Sequence, residues 1–261
     1  MLAGPPRYPV KLPSAIDRLA RGSARPVWEN ELGGLTFAVG SQFIKWVPSG
    51  SGLNLAAEAD RLRWARRFTP VPEVVGEGSD KEGSWLVMTA LPGESAVSDR
   101  WSAEPAAAVT AIGEGLRAMH DALPIADCPF SWSAEDRLAD AHRRAGASAL
   151  DPERWHAKHR HLTVSRALEE LAEIPDIDKL VVCHGDACAP NTLLAHDGRS
   201  LGHVDLGALG AADRWADLAV ATWSTEWNYG PGWESRLLDA YGIDPDDRRT
   251  RYYRLLWDLG P

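Results

Sequence analysis

The feature that most constrains this chain is an ordered set of polar residues in the otherwise apolar, small-residue stretch 180–219. Asp186 follows the hydrophobic segment KLVVCHG, Asn191 comes five positions later, and Asp205 follows Asp186 by nineteen positions. The sequence between them, TLLAHDGRSLGHV, predicts a strand, a turn at HDG and a second strand. Such a hairpin returns Asp205 to the end that carries Asp186 and Asn191.

Three oxygen-bearing side chains gathered in this way predict chemistry on a metal-bound phosphate. Asp186 is placed to act as a general base that accepts the proton of a hydroxyl group. Asn191 and Asp205 supply hard oxygen ligands of the kind that Mg²⁺ prefers, with water and phosphate oxygens completing its shell. A base with two metal ligands is the arrangement used for phosphoryl transfer to a hydroxyl. The alternative, a hairpin whose polar ends are only solvated, explains one Asp but poorly explains the ordered set.

The N-terminal part of the chain supplies a cation and an acid that such a site needs. Lys45 lies in FIKWV, which predicts a strand, and Glu58 lies in LAAEADRL, which has helical spacing. A Lys–Glu pair between strand and helix positions the lysine for the α- and β-phosphates of a nucleotide. For Lys45 taken alone, a solvent-facing strand lysine is the simpler alternative.

Two further segments are candidates for contact with the nucleotide. Gly33 and Gly34, in ENELGGLTFAV, let the backbone approach phosphates, although the full G-x-G-x-x-G pattern is absent. The segment WLVMTALPGE predicts a strand that leads into a hinge. Its backbone around Met88, Ala90 and Leu91 is expected to meet the edge of a purine.

A change of character near residue 91 divides the chain into two parts. Strand patterns dominate residues 1–91, whereas helical patterns such as AEPAAAVTAIGEGLRAMHDAL dominate beyond residue 103. We expect a β-rich, nucleotide-binding N-terminal lobe at 1–91 and a catalytic and substrate-binding lobe at 92–261. Four histidines of the second part are interpreted as a solvated, partly basic face: His142, His156, His159 and His161.

Charge and cysteine content argue against several classes of protein. A net charge of −9 and a pI of about 5.4 disfavour nucleic-acid binding, whereas an acidic site suits a cationic small substrate. No apolar run is long enough for a membrane span, and the N-terminal sequence is a poor signal peptide. The three cysteines suit a reducing cytoplasm, and a zinc site on Cys183, His184 and Cys188 lacks a recognisable fourth ligand. No obligate protein partner is implied.

Residues 28–261 resemble the aminoglycoside phosphotransferase family, and especially its 3′-aminoglycoside kinases. The resemblance is carried by HGDACAPNTLL, VDLGALGAADRWADLA and YYRLLWDL. It implies an α+β, bilobal, protein-kinase-like fold, with a small β-rich N-terminal lobe and a larger, mainly helical C-terminal lobe. It also implies transfer of the γ-phosphoryl group of ATP or GTP to a hydroxyl group of a small molecule, with an aminoglycoside as the leading candidate.

The resemblance also assigns roles to the residues already singled out. It makes Asp186 the catalytic base, and it makes Asn191 and Asp205 the magnesium ligands. Lys45 then binds the α- and β-phosphates while Glu58 holds it, and the segment 88–93 is the adenine hinge.

The residues expected to contact the acceptor depart from the family pattern. Where the family carries an Arg and two acids on one helix, this chain has ATWSTEWN, with Trp223 at the Arg position and Trp227 and Asn228 at the acidic ones. Glu226 is acidic but one place off. Ala208 stands where the family has an Arg, and Asp258 stands at the place of a substrate-binding Glu. Five residues are the candidates for acceptor contact: Asp213, Trp223, Glu226, Trp227 and Asp258.

The short connection from Asp205 to Asp213 argues against a protein substrate, because it leaves no room for an activation segment. A helix follows, and Asp213, Arg214 and Asp217 are expected to anchor its start and the segment around Asp186. Two other functions stay open: a kinase for another hydroxylated metabolite or antibiotic, which an aromatic pocket wall would favour, and a nucleotide-binding regulator without transfer activity. The presence of every residue that catalysis needs argues against the regulator.

Overall fold

The computed structural model describes residues 4–20, 23–30 and 32–260. The chain separates into two compact units, Met1–Pro92 and Gly93–Pro261. The first three residues of the N-terminal sequence, which is a poor match to a signal peptide, lie outside the described part. Within the described ranges, no helix combines the length and the apolar character that crossing a membrane requires.

The N-terminal unit is built on a five-stranded antiparallel sheet. Its strands are β1 Arg25–Glu29, β2 Leu35–Val39, β3 Gln42–Pro48, β4 Val74–Ser79 and β5 Gly83–Thr89. They lie in the order β1-β2-β3-β5-β4, and β2–β3 and β4–β5 are antiparallel hairpins. Two helices belong to the same unit: α1 Ser14–Ala20 and α2 Leu55–Ala65.

Alternation of side chains along the strands divides them between the two faces of this sheet. Phe37, Ile44 and Val87 are buried, and the strand register places Phe37 opposite Ile44 and Ile44 opposite Val87. Lys45 is the next residue after Ile44, and successive side chains of a strand point to opposite faces. The lysine therefore lies on the other face of the sheet from this apolar cluster.

The C-terminal unit is mainly helical. Its helices are α3 Asp99–Ala103, α4 Pro105–Ala122, α5 Ala134–Gly146, α6 Val164–Leu171, α7 Trp215–Tyr229, α8 Glu234–Tyr241 and α9 Asp247–Asp258. Its strands are short: β6 Glu94–Ser95, β7 Leu180–Cys183, β8 Thr192–Leu194, β9 Ser200–His203 and β10 Gly210–Asp213. β8 pairs with both β6 and β9, and β7 pairs with β10, all antiparallel.

Helix α7 lies at the centre of this unit. Every residue from Trp215 to Thr225 is buried, and α4, α8 and α9 pack around the helix. A helix that is apolar on all sides is buried on all sides. It is therefore a rigid support for the loop that it contacts.

Candidate active site

The loop of residues 184–191, termed here the HGD loop, begins where the buried strand β7 ends. Gly185 has φ +83°, a left-handed conformation that glycine adopts without steric cost. A Cβ atom at this position would lie 2.2 Å from the Ala208 carbonyl oxygen. Only glycine therefore fits, and the close approach fixes the backbone immediately before Asp186.

Asp186 and Asn191 meet inside this loop. Asn191 Nδ2 donates to the Asp186 carbonyl oxygen at 3.0 Å and to its carboxylate Oδ2 at 3.1 Å. The other carboxylate oxygen, Oδ1, is buried and has no hydrogen-bond partner among the described residues. Because a buried acceptor without a donor is costly, this oxygen is suited to accept a hydrogen bond from a bound molecule.

Asp205 reaches the same region through the predicted hairpin. β8 and β9 pair with Thr192 opposite His203, and the Val204 N–H donates to the Asn191 carbonyl oxygen at 3.0 Å. Asp205 itself has φ +66°. A left-handed conformation costs a residue with a Cβ atom about 1 kcal/mol or more, and such strain is concentrated at functional sites.

Two carboxylates close together determine the electrostatics here. Burial raises the pKa of Asp186 above its ordinary value of 3.8, and the negative charge of Asp205 raises it further. A divalent cation relieves such repulsion, and the oxygens of Asp and Asn are hard ligands suited to Mg²⁺. Asn191 contacts Asp186 through its amide nitrogen, which leaves the amide oxygen as its ligand atom. The donor set of Asn191 and Asp205 thus fits a magnesium ion.

A second buried carboxylate, Asp217 in the first turn of α7, holds the HGD loop in place. Its Oδ2 accepts the His184 N–H at 2.6 Å, and its Oδ1 accepts the Gly185 N–H at 2.9 Å. His120 Nε2 of α4 lies 3.0 Å from Asp217 Oδ2, and the Tyr241 hydroxyl of α8 lies 2.8 Å from His120 Nδ1. Burial acts to raise the pKa of Asp217, but its hydrogen bonds and the neighbouring histidines lower it overall. Asp217 is therefore an anchor, as predicted.

Sequence reasoning missed the two residues that support this anchor. His120 is a single histidine among apolar residues on the buried side of α4, and this isolation was a usable signal. Nothing distinguishes Tyr241 from an ordinary core tyrosine, since it lies at helical spacing among buried leucines.

The residues around Asp217 include side chains of the types that bind metal ions. The ligand atoms of His120, Cys183 and Asp217 lie near one another, whereas the set Cys183, His184 and Cys188 does not form such a group in the described part of the chain. Burial raises the pKa of the Cys183 thiol well above its ordinary value, so the sulfur stays protonated. His120 and Asp217 already bond each other. The cluster is a hydrogen-bonded support rather than a metal centre.

In the N-terminal unit, the predicted pair of Lys45 and Glu58 is present. Lys45 Nζ lies 2.6 Å from Glu58 Oε1, and both side chains are mostly buried. The lysine comes from the middle of β3, between Thr36 and Leu86 on the neighbouring strands, and the glutamate lies in the first turn of α2. The ion pair therefore holds the ammonium group at a defined position on the sheet.

The glycine turn before β2 has a local role that its sequence did not reveal. Gly33 has φ +78°, and the Asn30 side chain accepts hydrogen bonds from the N–H groups of Leu32 at 3.0 Å and Gly34 at 2.7 Å. A Cβ atom on Gly34 would lie within 3.0 Å of three Asn30 side-chain atoms. The Gly34 N–H, which was expected to face a phosphate, is thus bonded within the turn.

The hinge segment continues β5. Met88 is buried in that strand, and the Ala90 N–H donates to the Ser41 carbonyl oxygen at 2.9 Å. Leu91 is half-buried. Contact of this backbone with a purine stays a prediction.

Among the acceptor candidates, Asp213 is buried at the end of β10. Its Oδ2 accepts the Asp178 N–H at 2.6 Å, and its Oδ1 accepts the Trp215 N–H at 2.8 Å. Both oxygens thus serve the start of α7, which corrects the expectation that Asp213 contacts the acceptor. The alternative prediction, an anchoring role, agrees with these bonds.

Trp223 and Trp227 lie one turn apart on α7 but in different environments. Trp223 is fully buried, whereas Trp227 is 46% exposed, and their ring centroids are 5.2 Å apart. The His156 ring lies against Trp223 with centroids 4.3 Å apart, and the His159 ring lies 5.7 Å from it. Of the two tryptophans, Trp227 is the one accessible to an acceptor, and the expected acceptor contact of Trp223 is corrected because its ring is enclosed.

The two remaining acidic candidates already have nitrogen-bearing side chains as neighbours. Asp258, at the end of α9, accepts the His156 N–H at 3.2 Å, and its Oδ2 lies 2.5 Å from His159 Nδ1. Glu226 Oε2 lies 4.0 Å from Lys158 Nζ. The interpretation of His156 and His159 as part of a solvated face was therefore wrong, because both pack against α7 and α9. His142 and His161 are exposed as expected.

A model of the phosphotransferase enzyme family matches residues 37–253, well over half of the chain. The chain belongs to this family. The phosphotransferase is 37% identical over 219 residues to an aminoglycoside 3′-phosphotransferase of Streptomyces fradiae, with 80% of this chain and 81% of the relative covered. It is 35% identical over 228 residues to a streptomycin 3″-kinase of Streptomyces griseus, with 82% of each chain covered.

A solved structure extends the likeness to three dimensions. The aminoglycoside phosphotransferase APH(3″)-Id from Streptomyces rimosus, in complex with ADP and streptomycin, is 28% identical to this phosphotransferase with a TM-score of 0.78. The match covers 94% of this chain and 96% of that structure's chain. The predicted α+β, protein-kinase-like fold class and the predicted enzyme class, a phosphotransferase that acts on a hydroxyl group, are confirmed.

Proposed function

We propose that this phosphotransferase moves the γ-phosphoryl group of ATP to a hydroxyl group of an aminoglycoside in a magnesium-dependent reaction. The observation that carries the proposal is the buried Oδ1 of Asp186, to which no described residue donates while Asn191 holds Oδ2. The names of its relatives support the acceptor, and the ADP and streptomycin complex of the Streptomyces rimosus enzyme supports the pair of ligands.

In the proposed reaction, Asp186 Oδ1 accepts a hydrogen bond from the acceptor hydroxyl and orients its oxygen towards the γ-phosphorus. The hydroxyl proton passes to this carboxylate as the new oxygen–phosphorus bond forms and the bond from the γ-phosphorus to the β-phosphate oxygen breaks, which releases ADP. The raised pKa of Asp186 favours this proton transfer, because a more basic carboxylate is a better proton acceptor. Asn191 keeps the carboxylate from rotating, and Asp217 holds the backbone before it.

We assign nucleotide contacts to Lys45 and metal contacts to Asn191 and Asp205. Lys45, held by Glu58, binds the α- and β-phosphates, and Asn191 with Asp205 would hold Mg²⁺, which when bound neutralises phosphate charge. Nucleotide binding is thus proposed for the N-terminal unit, and catalysis with acceptor binding for the C-terminal unit. A cytoplasmic location and a role in antibiotic resistance stay predictions.

The test is ADP release by the purified protein, measured with ATP and Mg²⁺ against aminoglycosides, sugars and amino alcohols. We expect saturable turnover on at least one aminoglycoside and loss of turnover when a chelator removes Mg²⁺. Turnover on a sugar or amino alcohol alone would replace the acceptor. Nucleotide binding without transfer to any acceptor would contradict the proposed reaction and favour a regulator.

A further inference from the structure

The surface beside the HGD loop presents an exposed indole. Trp227 is 46% exposed and lies three residues after Ser224 on α7. Ser224 Oγ accepts the Ala189 N–H of the HGD loop at 2.9 Å, and Asn228 Nδ2 donates to the same oxygen at 3.1 Å. The helical turn that carries Trp227 is therefore bonded directly to the loop that carries Asp186.

Carboxylates that could attract a polycation are already paired in this region. Asp258 is hydrogen-bonded to the backbone N–H of His156 and to the ring of His159, and its side chain is 10% exposed. Glu226 lies on α7 next to Trp227, with Lys158 4.0 Å from its carboxylate. Recognition of several ammonium groups needs several carboxylates within hydrogen-bonding reach. Paired carboxylates weaken that mode of recognition.

The same aromatic cluster already holds a guanidinium group against an indole. Arg254 Cζ lies 5.3 Å from the centroid of the Trp223 ring, and its Nε donates to the Ala219 carbonyl oxygen at 3.1 Å. A guanidinium is planar and more weakly hydrated than an ammonium, so it stacks on an aromatic face at a smaller desolvation cost. The exposed Trp227 ring can stack on a guanidinium group of a bound molecule, as the Trp223 ring stacks on Arg254.

We propose that Trp227 determines acceptor specificity by stacking on a planar guanidinium group, so that the enzyme favours guanidinium-bearing aminoglycosides over those that carry only ammonium groups. This inference rests on the proposed function, since it concerns the acceptor of the same reaction. Trp227 contacts the acceptor away from the reacting hydroxyl, so it acts mainly on the acceptor KM.

The test compares two acceptors and two substitutions at one position. Streptomycin carries guanidinium groups, and kanamycin carries amino groups only. Trp227→Leu keeps an apolar side chain without an aromatic face, and Trp227→Phe keeps an aromatic face. We expect the unaltered protein to have the lower KM for streptomycin, and Trp227→Leu to raise that KM by roughly five- to tenfold. Its KM for kanamycin and for ATP should change less than about twofold, and Trp227→Phe should restore most of the streptomycin affinity.

A neighbouring substitution separates recognition by an aromatic face from recognition by charge. Glu226→Gln removes a carboxylate on the same turn of α7, and we expect it to raise the KM for streptomycin less than Trp227→Leu does, because Lys158 lies 4.0 Å from this group. Unfolding midpoints of all variants show whether each is folded.

The outcomes distinguish this inference from the proposed function. Equal effects of Trp227→Leu on both acceptors, no effect on either, or a larger effect of Glu226→Gln on streptomycin would overturn the role of Trp227 alone. A preference of the unaltered protein for kanamycin would do the same. Absence of turnover on every aminoglycoside would overturn the proposed function and this inference together.

Discussion

Asp186 lies within the HGD loop and the buried Asp217 supports that loop from α7, and the environments of the two carboxylates differ. Among the described residues, Asp186 has one buried carboxylate oxygen without a donor, and burial together with Asp205 raises its pKa. Asp217, at the start of α7, accepts two backbone N–H groups and contacts His120, and its pKa is lowered. The residue type is the same, so the surroundings separate them: Asp217 has hydrogen-bond donors on both oxygens, whereas Asp186 has the negative charge of Asp205 as a neighbour.

The difference teaches how a carboxylate becomes either reactive or structural. A carboxylate whose lone pairs are all used stabilises the backbone that it bonds, and its basicity is low. One with an unsatisfied buried oxygen destabilises the fold and is a better proton acceptor. Both kinds of carboxylate act on the HGD loop. Asp217 holds the backbone at Gly185, and Asp186 directly follows Gly185.

The largest expected effect is a loss of catalysis when Asp186 is substituted. Asp186→Asn should lower kcat by about 100- to 10,000-fold, because it removes the general base, while nucleotide binding and folding are retained. Steady-state ADP release, nucleotide titration and an unfolding curve measure the three quantities. An Asp186→Asn enzyme that keeps near-normal turnover would falsify the assignment of the base.

The next largest expected effect is a loss of stability when Asp217 is substituted. Asp217→Ala should lower the free energy of unfolding by about 3–5 kcal/mol, because it leaves two buried backbone N–H groups and His120 without their partner. Urea denaturation measures this loss. The matched control is Asp121→Ala, which removes an exposed partner of Arg117 and should cost less than about 1 kcal/mol. Similar losses in the two variants would mean that Asp217 is not an anchor.

A third mostly buried carboxylate, Glu58, extends the comparison to the N-terminal unit. Glu58→Gln replaces a charge-assisted bond to Lys45 by a neutral one, and we expect the KM for ATP to rise about fivefold, with little change in the acceptor KM. Glu77→Gln is the control, since Glu77 pairs with Arg63 at the surface of the same unit. If both variants, or neither, raise the KM for ATP, the ion pair does not position Lys45 for the nucleotide.

The smallest expected effect is on the pH dependence of stability. It distinguishes the two aspartates most sharply, because ionisation of Asp186 opposes folding and ionisation of Asp217 favours it. The folded pKa of Asp186 is above 3.8, so its ionisation opposes folding at neutral pH, and Asp186→Asn should be more stable than the unaltered protein there. This advantage should shrink as the pH falls through the folded pKa towards 3.8. The folded pKa of Asp217 is below 3.8, so the stability that it contributes should persist above that value and fade as the pH falls through the folded pKa.

Urea denaturation of Asp186→Asn, Asp217→Asn and the unaltered protein at several pH values measures both trends. Curves that run parallel for the two variants would show that the carboxylates do not differ in the way described.

Much of the fold was predictable because it depends on short-range pattern. The two hairpins of the N-terminal sheet are rich in residues that favour strands, with turns between them, and α4 has regular helical spacing. The Asp186, Asn191 and Asp205 set was predictable for the same reason, since a single short hairpin brings Asp205 back to Asn191. The Lys45 and Glu58 pair spans only thirteen positions and one strand-to-helix connection.

The residues that were missed or misjudged depend on partners far away in the chain. His120 and Asp217 are 97 positions apart, and His159 and Asp258 are 99 apart. No local pattern relates residues at such separations, because their contact is decided by how whole helices pack. The same holds for Asp213, whose carboxylate was expected at the acceptor and instead caps the start of α7 through Asp178 and Trp215.

By itself, the sequence determined which chemical groups are present and which of them a local turn or hairpin brings together. That is enough to predict a magnesium-dependent phosphotransferase, because the proposed base and the proposed metal ligands all lie within one short hairpin and its preceding loop. Only the tertiary structure decided which carboxylates are satisfied and which are not, and which tryptophan is exposed. The physical reason is that pKa, hydrogen bonding and exposure belong to the neighbours of a side chain, and distant segments of the chain supply those neighbours.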